Sequence, residues 1–243
     1  MSYKGLFYPE SRFGGFSDID GTIAFYMRVN ALLKPSDTVL DVGCGRGAYQ
    51  DDPIAIRRNL RILKGKVKKV IGIDVDAAAQ SNPFLDEFRF IGDDEWPIEA
   101  DSVDLILSDY VLEHIVDVDR FFFEARRVLK NGGYLCIRTS NRWSYIGLFS
   151  RLIPNQYHWR VTKLVQEHRK GEDVFPAVYR CNSVWQIRSK MRQYGFDGVV
   201  YGYEAEPSYL SFSKIAYWLG VLHQRFAPAF LKASLFAFAQ LAK

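Results

Sequence analysis

Two aspartates and three glycines carry the clearest chemical spacing in the sequence. Gly43, Gly45 and Gly47 alternate in Gly43-Cys44-Gly45-Arg46-Gly47, directly after the apolar run Thr38–Val42. Residues without Cβ let a chain turn sharply and let a ligand approach its backbone. Amides at the start of a following helix would face an anionic group, and a carboxylate or a phosphate meets that requirement equally well. Asp41 lies two residues before the first glycine, where it can receive a cationic amino group directly or through water. Asp74 closes a second apolar run, Val70–Ile73, where a carboxylate can accept hydrogen bonds from two ribose hydroxyls. The pattern is G-x-G-x-G, not the G-x-G-x-x-G of dinucleotide binding. A ligand with an amino acid at one end and a nucleoside at the other fits this layout.

Such groups must be held by regular elements, and the sequence alternates strand and helix patterns. Ser17 or Asp18 is expected to cap a helix to about Leu33, with Ile23, Tyr26, Met27 and Asn30 on one face. Residues 1–16 read as an irregular arm. Strands are expected at 38–42, 70–73, 88–91, 103–107 and 134–139. A helix disturbed near Pro53 comes after the glycines, and one over 118–129 is stopped by Asn131-Gly132-Gly133. Asn182 or Ser183 opens a helix to Tyr194, Phe196–Tyr203 is a sixth strand, 208–226 an amphipathic helix, and 235–241 a last strand. This order predicts an α/β, Rossmann-like doubly wound sheet of seven strands, mostly parallel, helices on both faces. The last strand can insert antiparallel between its neighbours. One domain over 1–243 is expected, with 140–177 and 204–232 as substrate-side insertions.

Composition narrows the function classes. The 243 residues are 48% hydrophobic and 25% charged, which are globular values. A formal charge of +4 is small for a nucleic-acid binder. The densest basic stretch, Arg57, Arg58, Arg61, Lys64, Lys66, Lys68 and Lys69, reads as a solvated face before a polyanion site. Cys44, Cys136 and Cys181 are odd in number and show no metal-ligand spacing with the four histidines, so a reducing compartment and no metal are expected. No secretory h-region opens the chain and no run approaches 18 apolar residues, which points to the cytoplasm.

VLDVGCGRG at 39–47, IGIDVD at 71–76, FIGDDEWP at 90–97, LILSDYVLEHI at 105–115 and LKNGGYLCIRT at 129–139 resemble the successive motifs of class I S-adenosylmethionine-dependent methyltransferases. The resemblance covers roughly residues 37–140 and implies that cofactor. It places Gly43, Cys44, Gly45 and Gly47 beside the methionine part, with Asp41 orienting its amino group. Asp74 matches the ribose acid and Val75 the apolar residue against adenine. Asp93 or Asp94 would meet the adenine amino group, and the backbone at Ser108 and Asp109 would line the methionine end.

A sulfonium methyl needs a nucleophile in line and, for a hydroxyl, a general base is useful without being obligatory. His114 and His158 are the candidates, each with an ordinary alternative: a structural Glu-His pair and an exposed loop histidine. Arg142, Trp143, Tyr145, Tyr157 and Arg160 could line an acceptor pocket, forks for carboxylate or phosphate and rings for a sugar face. The helix at 211–226 is expected to pack in the core, with a membrane-proximal or dimer contact as alternatives. Looser likeness in 13–33 and 139–158 to bacterial glycan and secondary-metabolite methyltransferases implies a small-molecule acceptor, such as a saccharide or lipid-linked sugar. RNA or protein methylation and a non-catalytic cofactor-binding module are the competing readings; no Asn/Asp-Pro-Pro-Tyr comes after the fourth strand.

Overall fold

The computed structural model describes residues 3–92, 95–152 and 177–242, the side chains of 149–152 excepted. In chain order the elements are α1 (Tyr3–Phe7), α2 (Gly21–Leu32), β1 (Thr38–Val42), α3 (Ala55–Arg61), β2 (Lys69–Asp74), β3 (Glu87–Phe90) and β4 (Val103–Asp109). Then come α4 (Val118–Val128), β5 (Leu129–Ser140), α5 (Tyr145–Leu152), α6 (Val184–Gln193), β6 (Phe196–Tyr203), α7 (Lys214–Phe226) and β7 (Ser234–Leu241). The seven strands form one sheet in the order β3-β2-β1-β4-β5-β7-β6. The first five are parallel. β7 lies between β5 and β6 and is antiparallel to both, the insertion expected from the last apolar run.

Alternation along the strands feeds two cores. Leu40, Val42, Ile71, Ile73, Ile106 and Ile137 meet α4 through Phe121, Phe122 and Ala125 and α6 through Ile187 and Met191. Val39, Val70, Leu105, Leu107 and Phe236 meet Phe25, Tyr26 and Val29 of α2 on the other side. The α2 face therefore differs from the expected one: Phe25 and Val29 are buried while Met27 is exposed. Its cap is Asp20, whose carboxylate accepts from the amides of Thr22 and Ile23. Asp18 and Ser17 lie too early to reach those amides.

Other boundaries shift for local reasons. Asn131-Gly132-Gly133 does not separate helix from strand: β5 starts at Leu129, and the glycines bulge it between the pairs Val103–Leu129 and Leu105–Tyr134. The supposed irregular arm holds α1 and a 3-10 turn, because Tyr3, Phe7 and Tyr8 pack against Tyr217 and Val221 of α7. Tertiary burial, not propensity, stabilises so short a helix. No described helix is long and apolar enough to cross a membrane.

The loop after β3 is pinned to α4 by charge. Buried Glu124 accepts from Arg127 at 2.6 Å and from the Trp96 amide at 3.1 Å. Arg127 also donates to the carbonyls of Trp96 and Ile98. Arg127→Met would leave two carbonyls unpaired and the buried Glu124 carboxylate with only the Trp96 amide and Arg120, 3.6 Å away, against its charge. A loss of about 3 kcal/mol in unfolding free energy is expected, read as a lower urea midpoint at unchanged slope.

Candidate active site

At the carboxyl ends of the parallel strands, β1 runs into a turn with Gly43, Gly45 and Gly47 all at positive φ (67°, 53° and 74°). The amides of Gly43 and Cys44 donate to the Ile73 carbonyl, which ties the turn to β2. Asp74 holds it further. One carboxylate oxygen accepts from the Gly45 amide at 2.9 Å and the other from the Asp76 amide at 2.9 Å. A carboxylate offers about four lone-pair sites, so two remain for a ligand. Asn82 donates to the carbonyls of Cys44 and Gly45 from the outer side. A Cβ at Gly43 would stand 2.5 Å from Val111, whereas at Gly45 it would meet nothing within 4 Å. The turn is thus closed on one side and open on the other.

Beyond the glycines the chain forms a four-residue 3-10 turn, Ala48–Asp51, and Pro53 delays α3 to Ala55. The expected helix N-terminus facing an anion is therefore absent here among the described residues, and the amides of Gly43, Cys44 and Gly45 are already engaged by the Ile73 carbonyl and Asp74. Cys44 points into the core over Gly72, and burial pushes its thiol well above the usual range.

Behind the turn lies a charged centre. Asp109 at the end of β4 accepts from Arg138 of β5 at 2.6 and 2.7 Å, and from the Tyr26 hydroxyl at 2.9 Å. Arg138 spends its third nitrogen on Thr22 Oγ1 at 3.0 Å and sits among the rings of Phe25, Tyr26 and Tyr110. Burial opposes charge on Asp109, but Arg138 overrides it and holds the carboxyl below its ordinary value. Arg61 approaches the same carboxylate at 3.7 Å and covers Tyr49. Asp41 has no such partner: no hydrogen bond reaches its carboxylate among the described residues. Burial, with the Asp109 charge beside it, pushes Asp41 up to about 7.

On the far side of Arg138 a cavity of about 220 Å³ opens. Tyr110, Tyr145, Tyr203 and Tyr209 contribute rings, and Asp20, Glu204 and Glu206 contribute carboxyls. Tyr110, directly after β4, adopts φ +58° and its hydroxyl shares a 3.0 Å hydrogen bond with Ser234 of β7.

A family model described as a methyltransferase domain matches residues 22–200. The chain belongs to this methyltransferase family. A Mycolicibacterium smegmatis protein named "Probable S-adenosylmethionine-dependent methyltransferase" is similar at 34% identity over 112 residues, 44% of this chain and 39% of the relative. A Rhizobium etli ubiquinone biosynthesis O-methyltransferase is 30% identical over 43% of this chain and 41% of its own length. The chain thus matches about two fifths of these curated relatives. Among solved structures, one chain of the complex between the Haloferax volcanii Trm112 methyltransferase activator and a methyltransferase aligns with TM-score 0.58 and 19% identity. That alignment covers 100% of this chain and 96% of that one, and shows the shared fold.

The methyltransferase domain places its other candidate residues unevenly. Val75 is 59% exposed beside Asp74, an apolar platform at the open end of the turn. Ser108 and Asp109 belong to β4 itself, which runs two residues longer than expected; the Ser108 hydroxyl is buried without a partner. Glu113 is buried and accepts from Thr139 and Ser140, so it braces the β5 end. His114 is half-buried in a 3-10 turn and is not among the cavity's lining residues. Tyr145 lines the cavity; Arg142 and Trp143 line a separate open depression with Trp185 and Phe230. Ser183 caps α6, while Asn182 donates inward to Thr139. Asp93, Asp94, Tyr157, His158 and Arg160 lie outside the described residues.

The basic stretch is a solvated face in part: Lys64, Lys66 and Lys68 are exposed, while Arg57, Arg58, Arg61 and Lys69 are half-buried. Arg57 pairs with Asp52 and Asp20, and Arg61 with Asp109. Lys64 donates to backbone carbonyls and Lys69 pairs with Glu87. Sequence reasoning missed Arg138, Tyr26, Thr22, Tyr110 and Glu204. Of these, only Arg138 carried a visible signal, a charge inside the apolar strand Tyr134–Thr139.

These residues fit S-adenosylmethionine. The spare lone pairs of Asp74 suit a ribose diol, and the unpaired Asp41 carboxylate suits an ammonium. Because the folded-state value of Asp41 lies above its unfolded one, the folded chain holds a proton that the unfolded chain has lost between pH 4 and 7. Stability therefore falls as pH rises through that window. Asp41→Asn should raise the melting temperature at pH 8 and leave it nearly unchanged at pH 4. The same change should weaken binding of S-adenosylhomocysteine in calorimetry at least about tenfold, the loss of one charge-assisted hydrogen bond.

Proposed function

We propose that this chain transfers the methyl group of S-adenosylmethionine to a hydroxyl oxygen of a polyhydroxylated small molecule, such as a saccharide. The cavity beyond Arg138 carries this reading. Its tyrosine rings suit the apolar faces of a sugar, and its carboxyls and serines suit hydroxyl groups. The O-methyltransferase name of the Rhizobium etli relative supports an oxygen acceptor. Segments 140–177 and 204–232 are the substrate-side insertions in this reading, and Tyr145, Glu204 and Tyr209 of the cavity come from them.

When bound, the cofactor supplies an electrophilic methyl on its sulfonium. Asp74 would hold the ribose, the glycine turn would lie beside the methionine part, and Asp41 would receive the ammonium. Val75 supports adenine, helped by Asp93 or Asp94. Tyr110 lines the acceptor cavity directly after β4, and its hydrogen bond to Ser234 fixes the ring where the acceptor oxygen would meet the methyl group. Positioning of two reactants in this way is worth roughly 7–11 kcal/mol in favourable cases.

Glu204 serves as the proton acceptor in this reading. It is buried, and one of its oxygens accepts from the Ala233 amide. The other receives no hydrogen bond among the described residues. Burial pushes the Glu204 carboxyl up to about 7, against the pull of the Ala233 amide and Lys232. His223 lies 3.6 Å behind it, and burial lowers that imidazole, which disfavours a cation beside Glu204. A carboxyl half-ionised near neutrality is matched to general-base work. His114 and His158 are the histidine alternatives for the same step.

With labelled S-adenosylmethionine and a pool of hydroxylated acceptors, label is expected in saccharides, and its absence from every saccharide would reject the acceptor class. Turnover should rise with pH through about 7 as Glu204 ionises. Glu204→Gln should slow it by roughly 10²–10⁴-fold at unchanged S-adenosylhomocysteine affinity, while His114→Ala stays near the parent rate. The reverse ranking would move the base to His114.

A further inference from the structure

Helix α7 has two apolar faces, and the protein uses only one. Tyr217, Gly220 and Val221 turn inward, where Tyr217 stacks on Phe7 at 5.6 Å and Gly220 lets Pro207 and Leu210 approach closely. The expectation that Phe212, Ile215 and Leu219 pack in the core is overturned. Phe212 is 73% exposed, Ile215 72% and Phe226 78%, and Trp218 and Leu219 are about half exposed. At 100° per residue Trp218, Leu222, Ile215, Phe226 and Leu219 fall in one arc of about 100°. Lys214 and Arg225 stand together along one edge of that arc.

Charge decides what such a face can meet. No Asp or Glu occurs anywhere from 207 to 243, while Lys214, Arg225, Lys232 and Lys243 do. An apolar arc with bulky aromatics, a basic edge and no acid is complementary to an anionic bilayer surface. Thirteen residues of helix extend only about 20 Å, short of the roughly 30 Å hydrocarbon core, so the helix can lie in the interface and not span it.

We propose that the outer face of α7 docks the protein on anionic lipid surfaces. The 3-10 turn Ser208–Leu210, immediately before α7, lines the acceptor cavity through Ser208 and Tyr209. Docking therefore brings the cavity rim toward the headgroup layer, where an acceptor carried on a lipid would present its polar end. The surface stands on α7 alone and does not depend on the methyl-transfer reading.

The test is co-sedimentation of the full chain with vesicles of phosphatidylcholine and phosphatidylglycerol, against phosphatidylcholine alone. Binding is expected to the anionic vesicles, weakened by salt. Lys214→Glu with Arg225→Glu should lower the partition coefficient by about 25-fold or more, at about fivefold per cation removed. Ile215→Glu with Leu219→Glu should abolish it at an unchanged melting temperature. Phe212→Ser, outside the helix, should weaken it even if the helix variants fail to fold. Folded protein that ignores anionic vesicles, or binds neutral ones equally, would overturn the proposal. So would a dimer in sedimentation velocity that Ile215→Glu dissociates, because the face would then be a contact between copies.

Discussion

The buried pair of Arg138 and Asp109 is the constraint around which the site is arranged. Two charges removed from water cost several kcal/mol each unless geometry and further hydrogen bonds compensate. Here the guanidinium meets the carboxylate with both prongs, and Thr22 and Tyr26 take up remaining valences from α2. One ion pair thereby fastens β4, β5 and the first turns of α2 to each other. The Arg138 carbonyl also accepts from the Tyr110 amide at 2.7 Å, where the chain leaves β4 in a left-handed conformation. For a tyrosine that conformation costs roughly 1–2 kcal/mol, and the Arg138 and Ser234 contacts offset it. The same pair faces two ways: the Asp109 charge raises the affinity of Asp41 for a proton, while the guanidinium lines the neighbouring cavity.

The glycine-turn side obeys a different logic. Asp74 is a brace with capacity to spare, since each of its oxygens holds one backbone amide and keeps a lone pair in reserve. The glycine turn does not need an α-helix behind it. Its left-handed residues, the Ile73 carbonyl and Asn82 shape it from outside; a side chain would collide with Val111 at Gly43 and with Asn82 at Gly47.

Strands were the most legible part of the sequence because their burial is two-sided and local. β1, β2, β6 and β7 fall within one residue of the apolar runs, and the antiparallel insertion of β7 is implied by the order of elements. Helix faces were harder. In α2 both Phe25 and Met27 are apolar, and only the position of Phe236 and Phe238 on β7 decides that Phe25 goes inward. In α7 both faces are apolar, so periodicity cannot say which one meets the short α1. Asp41, Asp74 and the glycines stood out by spacing along the chain. Arg138, Thr22 and Glu204 did not, because their partners are 29 to 116 residues away and meet only when the sheet closes.

That closure has a temporal side. β6 reaches β5 only through β7, which is translated after both. A nascent chain that has emerged as far as Tyr203 holds β6 without a partner strand, and β5 with one bare edge. Ser234, which steadies Tyr110, and Ala233, which engages Glu204, arrive in the same late segment. The cavity lined by Tyr110, Glu204 and Ser234 is consequently completed only once β7 has emerged, after the other six strands. Until then the exposed strand edges are open to pairing with other chains.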